Sequence, residues 1–327
     1  RARPAALRAM VRDTTARYAS AGYEFQISSD RFGPAAVESV AAVLRSLDHG
    51  PELAELSVFV ATPEEIGEIC GASVLACYFP SAEEIVVSGV DRPLDGVPRD
   101  FAIAHEYGHH VANSRAGGAL PAIEAGTARW ATYERVCQLA RRGRLFPGDQ
   151  GGHYWQDPGE AFAQSYARLN RPDARVGWQY TPLLRPTAAA LAKIHADVAR
   201  PWSGPVETSW GATLSAPPEE SSFPAGVRSG AVGIDAARAV GDPPWRASHL
   251  IRTPLDGPVS VSLQAPAGAD LSLSLRDPVT GRTLARAATG PDGSARLAYS
   301  NCGHAALRLE VSATGGPVAF RAAIVRP

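Results

Sequence analysis

The chain has 327 residues, 45% hydrophobic and 20% charged, with 32 basic against 33 acidic side chains and a formal net charge of −1. Those totals exclude a low-complexity or largely disordered chain, and they supply no global field that would recruit nucleic acid or anionic membrane. No run of about 18 apolar residues occurs, which argues against a membrane-spanning helix. The length suits two domains of ordinary size. Only Lys193 among the basic residues is lysine, an arginine bias that reads as genome composition. Arg1 opens the chain without an initiator Met or a signal-like apolar stretch, so it reads as the first residue of a processed or trimmed chain.

In chain order, Pro4–Ala21 is predicted to be a helix, with a modest apolar stripe at Leu7, Met10 and Val11. Pro34–Leu47 repeats Val37, Val40, Ala41, Leu44 and Leu47 close to the helical period. Leu56–Val60 reads as a strand, Thr62-Pro63 as the cap and first turn of a short helix to Ile69, and Glu84–Ser88 as a second strand. After turn-rich Asp91–Pro98, a helix starts near Pro98, with Asp100 suited to the positive end of its dipole. Gly117-Gly118 ends that segment. Thr127–Arg142 is predicted as another helix and Leu145–Tyr154 as a loop. Asp157-Pro158-Gly159-Glu160 opens a helix to about Leu169, and Leu184–Ala199 closes the helical half.

From Pro201 the texture changes. Pro, Gly and Ser rise, and short alternating runs appear at Val259–Leu263, Leu271–Leu275, Thr283–Ala288, Ala306–Val311 and Pro317–Val325. The expected architecture is an α+β domain over 1–204, mostly helical with a small sheet, then an all-β sandwich over 205–327. The aromatic residues of the second domain, Trp210, Phe223, Trp245, Tyr299 and Phe320, read as core or linker packing and not as a carbohydrate platform.

None of the four cysteines, Cys70, Cys77, Cys137 and Cys302, falls in C-x-x-C spacing, which disfavours a zinc knuckle or a thioredoxin-like motif. Cys70 and Cys77 are spaced to close a short disulfide loop, and Cys137 and Cys302 are candidates for a second pair. An even count with one close pair fits an oxidising compartment and hence a secreted or cell-surface protein. Buried free thiols in a cytosolic protein are the alternative.

The chemistry centres on Phe101–Asn113, FAIAHEYGHHVAN, which contains H-E-x-x-H at His105–His109. On a helix, residues i and i+4 lie one turn apart on one face, so two imidazoles can address one metal ion. Glu106 sits beside that face, within reach of a metal-bound water. The pattern is a signature of zinc peptidases. His110 should turn away from the metal face, and Gly108 would let another backbone approach closely.

A catalytic zinc site normally has three protein ligands and an open position. The metzincin extension needs Gly at 112 and His at 115, where this chain has Ala112 and Arg115. An aspzincin-like G-T-x-x-D also fails, because Gly126-Thr127 is followed by Ala128, Arg129 and Trp130. A glutamate on a second helix remains. Glu124 and Glu134 qualify by distance along the chain, but Glu160 has the better context, opening the apolar-faced helix EAFAQSYARL after a Pro-Gly start. His153 and Glu124 stay open as third ligands, and Glu160 can also be read as a charge favouring a helix N-terminus.

HEYGHHV, followed about fifty residues later by YWQDPGEAFAQSY ending at Tyr166, resembles zinc peptidases of the gluzincin type, most of all their lethal-factor-like branch. The resemblance spans roughly residues 55–200. It implies a zincin-like fold and one zinc ion held by His105, His109 and Glu160. It also implies Glu106 as the base and Tyr154 assisting at the metal, a role for which His153 competes. Gln164 stands where the family's E-x-F-A-E pattern has an acid, so a supporting carboxylate would have to come from elsewhere. The stretch from Thr253 to Val325 is similar to the pre-peptidase C-terminal β-sandwich modules of secreted bacterial peptidases.

These readings together predict a monomeric zinc endopeptidase with a peptide or protein substrate, no nucleic-acid partner and no transmembrane segment. Two alternatives stand beside it. One is a chance motif on a core helix. The other is a catalytically degenerate zinc-binding or surface-adhesion module.

Overall fold

The branched and aromatic residues that alternate along Tyr23–Ser29, Ser57–Ala61 and Glu84–Ser88 set up the first sheet (strands β2, β3 and β5). In the computed structural model, which describes residues 12–214 and 245–327, these strands join β1 (Thr14–Ser20) and β4 (Cys77–Phe79) in the order β1-β2-β3-β5-β4. The β2, β3 and β5 pairings are parallel, and both edge strands run antiparallel to their neighbours. Val58, Val60, Ile85 and Val87 point into the main core, while Phe59, Ala61 and Val86 point to the opposite face, covered by Ile66 of helix α2 (Pro63–Cys70). Burial on both faces explains why these strands read as nearly continuous apolar runs.

The first element corrects the sequence reading. Thr14–Ser20 is a strand paired with β2, and the rest of the predicted 4–21 helix, residues 4–11, lies outside the described residues. Ala16 and Tyr18 lean on the core at every second position, a pattern that the alanines and arginines disguise. Ala21 and Gly22, both at positive φ (49° and 87°), make the two-residue reversal into β2.

Eight α-helices are present among the described residues. Helix α1 (Pro34–Arg45) buries Val37, Val40, Ala41, Val43 and Leu44, on the stripe expected for it. Thr62 and Glu65 form a reciprocal capping box at the start of α2. Helix α3 (Arg99–Asn113) carries the H-E-x-x-H motif. The predicted Thr127–Arg142 helix is broken: Ala128–Tyr133 and Val136–Arg141 are separate (α5 and α6, after the short α4, Ala122–Ala125), with Arg135 at φ 58° between them. A continuous helix would turn Val136 about 120° away from Trp130; the break lets both enter the same core. Helices α7 (Pro158–Asn170) and α8 (Ala188–Ala199) complete this part.

The chain divides into two compact units, Arg1–Gly204 and Pro205–Pro327. The second contains two four-stranded antiparallel sheets. One has the order β10-β9-β12-β7 (Thr283–Ala288, Leu271–Arg276, Ala306–Ala313, Trp245–Arg252). The other has the order β11-β8-β13-β6 (Ser294–Asn301, Gly257–Gln264, Ala319–Arg326, Val206–Thr213). Alternate residues from both sheets, among them Leu273, Leu309, Val261 and Ile324, enter one buried cluster. Strands β6, β7 and β11 escape the sequence reading because Ser, Thr, Gly and Arg occupy their outward positions. Trp210, Trp245, Tyr299 and Phe320 pack on that cluster, and Phe223 lies outside the described residues.

Cys70 and Cys77 form a disulfide that joins the end of α2 to the start of β4. No cysteine among the described residues is free, so all four are in disulfides. No helix of the described residues is long and apolar enough to cross a membrane.

Candidate metal centre

Strand β5 delivers the chain to α3 through Asp95-Gly96, a turn with both residues at positive φ (49° and 78°) and closed by paired hydrogen bonds between Leu94 and Val97. Helix α3 then starts after Pro98 and buries Phe101, Ala104, Tyr107, Gly108 and Val111. That packing leaves the adjacent stripe of His105 and His109 facing the start of α7. A Cβ on Gly108 would sit 2.9 Å from Ala163 Cα and 3.1 Å from Tyr166 Cβ, so the glycine is what allows α3 and α7 to cross this closely.

The start of α7 is fixed by its own sequence. Asp157 caps it by accepting the Gly159 N–H at 2.9 Å, and Pro158 occupies the first turn. Glu160 is thereby aimed at α3. Its Oε2 lies 3.3 Å from His105 Nε2 and 3.5 Å from His109 Nε2. Ligand atoms about 2.0–2.1 Å from a tetrahedral zinc stand roughly 3.3–3.4 Å apart, so two imidazoles and one carboxylate at these separations fit that ion. Ligand atoms of the three residues all fall within 4.8 Å of one another.

Charge makes the same point. Among the described residues, Glu160 pairs with no lysine or arginine; its partners in ion-pair range are His105 and His109. Burial disfavours a charged His109, but the Glu160 carboxylate outweighs burial and lifts the imidazole to about 9. Despite its own burial, Glu160 is held far below the usual carboxylate range by the two histidines. The pocket thus demands a cation, which a proton or a metal ion can supply. Glu106, 8% exposed, is pushed up by burial against the pull of both histidines, which favours a carboxylate ready to take a proton.

Around the three candidate ligands lies a shell of hydrogen bonds. Tyr154 Oη donates to Glu160 Oε2 at 3.0 Å and Tyr180 Oη donates to the same oxygen at 3.1 Å. Gln150 Nε2 bridges Asp157 Oδ2 (3.0 Å) and Glu160 Oε1 (3.1 Å). Asp157, raised to about 6 chiefly by burial, is the nearby second carboxylate. Gln164 does other work: its Nε2 donates to Gly177 O at 2.9 Å and its Oε1 accepts Gln179 N–H at 3.4 Å. An acid there could not donate to the carbonyl. Gln164 thereby anchors the loop that brings Tyr180 to the site.

Tyr180, Gln150 and Asp157 are the contributors that sequence reasoning missed. Glu124 packs beside Gly148, and the partly buried Glu134 sits at the end of α5; neither joins the histidines. His153 pairs with Asp149 at 2.7 Å and stacks on Phe146, so its contacts lie away from Glu160. His110 faces the rear of α3: its Nε2 meets Glu52 O at 2.7 Å and its Nδ1 meets Tyr78 Oη at 3.1 Å. A nitrogen facing a carbonyl carries a proton, so Nε2 donates to Glu52 O, and the neutral form, with Nδ1 accepting from Tyr78, is the one that burial favours. Burial lowers its pKa accordingly.

A cleft of about 380 Å³ opens over His105 and Glu106. Tyr154, Trp155 and Tyr180 line one part of it, and Val74 and Leu75 of the disulfide-closed loop line another. Trp155 and Val74 remain 52% and 38% exposed, which leaves an apolar rim at the mouth. No protein-family model and no curated protein matches this chain.

Proposed function

We propose that this chain is a zinc-dependent peptidase, in which a zincin-like catalytic unit is followed by a β-sandwich module. The observation that carries the reading is the convergence of His105, His109 and Glu160 on one point, with Glu106 beside them in an open cleft. The disulfides suit a secreted or cell-surface protein. An extended peptide fits the cleft, with apolar side chains preferred at the Val74–Trp155 rim.

His105, His109 and Glu160 would hold the ion. When bound there, zinc would supply Lewis-acid chemistry toward the scissile carbonyl and would lower the pKa of water toward neutrality. Glu106 takes the proton from the attacking water and returns it to the leaving amine. Tyr154 and Tyr180 fix the Glu160 carboxylate, and Tyr154, at the cleft wall, would also donate to charge developing on the substrate oxygen.

The test is zinc analysis of the purified full chain together with digestion of a broad peptide library, for the parent and for Glu106→Gln. The variant should keep its zinc and lose turnover by about 10²–10⁴-fold. Cleavage by the variant at the parent rate would sink the mechanism, and zinc without cleavage in the parent would leave a non-catalytic zinc module.

A further inference from the structure

The two sheets of the C-terminal unit have outer faces of different chemistry. In the β10-β9-β12-β7 sheet, register places Arg286, Arg276, Arg308, Arg246 and Arg252 on the face opposite the buried leucines, with Glu310 as the single acid. Five arginines against one glutamate leave that face at +4. The corresponding face of the β11-β8-β13-β6 sheet carries Arg296 and Arg321 against Glu207, a net +1. Since both sheets come from the same arginine-biased sequence, composition alone does not account for the contrast.

Arg276 and Arg308 are direct cross-strand partners. Like charges in that position destabilise a sheet, and only Arg276 is relieved, by Glu310 at 2.9 Å. Among the described residues, Arg252, Arg286 and Arg308 have no carboxylate in ion-pair range. Arg246, Arg276 and Arg286 border a shallow depression of about 430 Å³ whose lining also includes Ser272, Ser274, Ser312 and Glu310, while Arg252 and Arg308 lie on the same face outside it. Each of the four strands contributes at least one arginine, and neighbouring strands lie about 4.8 Å apart, so the band crosses the whole sheet.

We propose that this outer face binds an acidic polysaccharide, whose carboxylate or sulfate groups are taken by Arg252, Arg286 and Arg308. Guanidinium forks match planar and tetrahedral anions, and the serine hydroxyls on the same face suit a hydroxyl-rich chain. No Phe, Tyr or Trp lies on this face within the strands, so it lacks the stacking platform that single-stranded nucleic acid uses. Leu250 is its one large apolar side chain, too little to insert into a bilayer. The whole chain carries −1, so binding to a polyanion would come from a local patch. The proposal is independent of the peptidase reading.

The experiment uses the full chain with fluorescein-labelled heparin, read by anisotropy at low and physiological ionic strength. The parent should bind saturably, and more weakly as salt screens the contacts. The Arg252→Ser/Arg286→Ser/Arg308→Ser variant should lose about tenfold in affinity, because three exposed ionic contacts, each of modest strength, are removed together. Arg296→Ser/Arg321→Ser on the other sheet should lose less than about twofold. If the triple variant proves poorly folded, Arg286→Ser on the edge strand β10 alone should still weaken binding by about two- to threefold. Absence of saturable heparin binding, equal losses from the two sheets, or tighter binding to phosphatidylglycerol vesicles or duplex DNA would each overturn the proposal.

Discussion

Helix α3 carries two polar clusters, one on each side, built from the same kinds of residue. In front are His105, His109, Glu160, Tyr154 and Tyr180. Behind are His110, Glu52, Tyr107, Tyr78 and Arg115. Glu52 Oε2 meets Arg115 at 2.6 Å, and its Oε1 accepts from Tyr107 Oη at 3.0 Å and from the Gly50 N–H at 2.7 Å. The rear carboxylate therefore has a permanent cation, and burial lowers the pKa of its neighbouring histidine. The front carboxylate has tyrosine donors but no arginine or lysine among the described residues. Residue type alone does not separate a structural cluster from a metal site; the source of positive charge does.

The largest effect should come from exchanging roles across the helix. Glu160→Ala is expected to take the protein from about one zinc per chain to essentially none while the fold survives, because two histidines alone do not make a stable site. Glu52→Ala should keep the zinc and lose stability. Metal analysis after dialysis, paired with denaturant unfolding, reads both. Retention of zinc by Glu160→Ala would erase the distinction between the two sides.

Next in size is the loss of the rear cation. Arg115→Met leaves Glu52 buried without its partner and should cost about 3–5 kcal/mol. Burial presses the Glu52 carboxyl upward, but Arg115 and the Gly50 N–H outweigh it and hold it below its ordinary value near 4.5. A folded-state value depressed in this way stabilises the protein above the unfolded-state value, and that contribution is lost as pH falls through the folded one. The gap between parent and variant should therefore be full at pH 7 and narrow below about pH 4. Urea titrations at the two pH values measure it, and a gap independent of pH would remove Glu52 as its source.

The two sides were not equally legible in the sequence. His105, Glu106 and His109 are marked by the H-E-x-x-H pattern and its helical spacing, and Asp157-Pro158 announces the start of the helix that carries Glu160. Even the crossing of α3 and α7 is foreshadowed by Gly108, the one position in the motif without a side chain. Tyr180 had no such signal. It reaches Glu160 because Gln164 and Arg168, on the helix before it, hold the backbone at Gly177 and Val176, contacts that exist only once the 171–181 loop folds back. The rear cluster was hidden for a similar reason: Glu52 and Arg115 are 63 residues apart. At the N-terminus the reverse happened. Local composition suggested a helix, and pairing between β1 and β2 prevailed over it. In the C-terminal unit, alternating runs marked five strands, and the strands rich in Ser, Thr and Gly became recognisable only through their partners.

The smallest expected effect tests how the front side is held. Tyr154 and Tyr180 both donate to Glu160 Oε2, and their hydroxyls lie 3.2 Å apart. Burial raises both phenols, with the Glu160 charge adding to it, so both stay protonated and remain donors. Removing one leaves the other in place. Each single Phe substitution should therefore weaken zinc affinity by no more than about tenfold, the lower end for groups that orient a metal ligand. The double variant should lose more than the product of the singles, because among the described residues Glu160 then has Gln150 as its only remaining hydrogen-bond donor outside the histidines. Turnover adds a second reading: if Tyr154 also serves the substrate oxygen, Tyr154→Phe should lower kcat further than Tyr180→Phe at equal zinc occupancy. Equal kcat losses at full occupancy would assign both tyrosines to holding Glu160, and the front of the helix would then resemble its rear in everything except the cation.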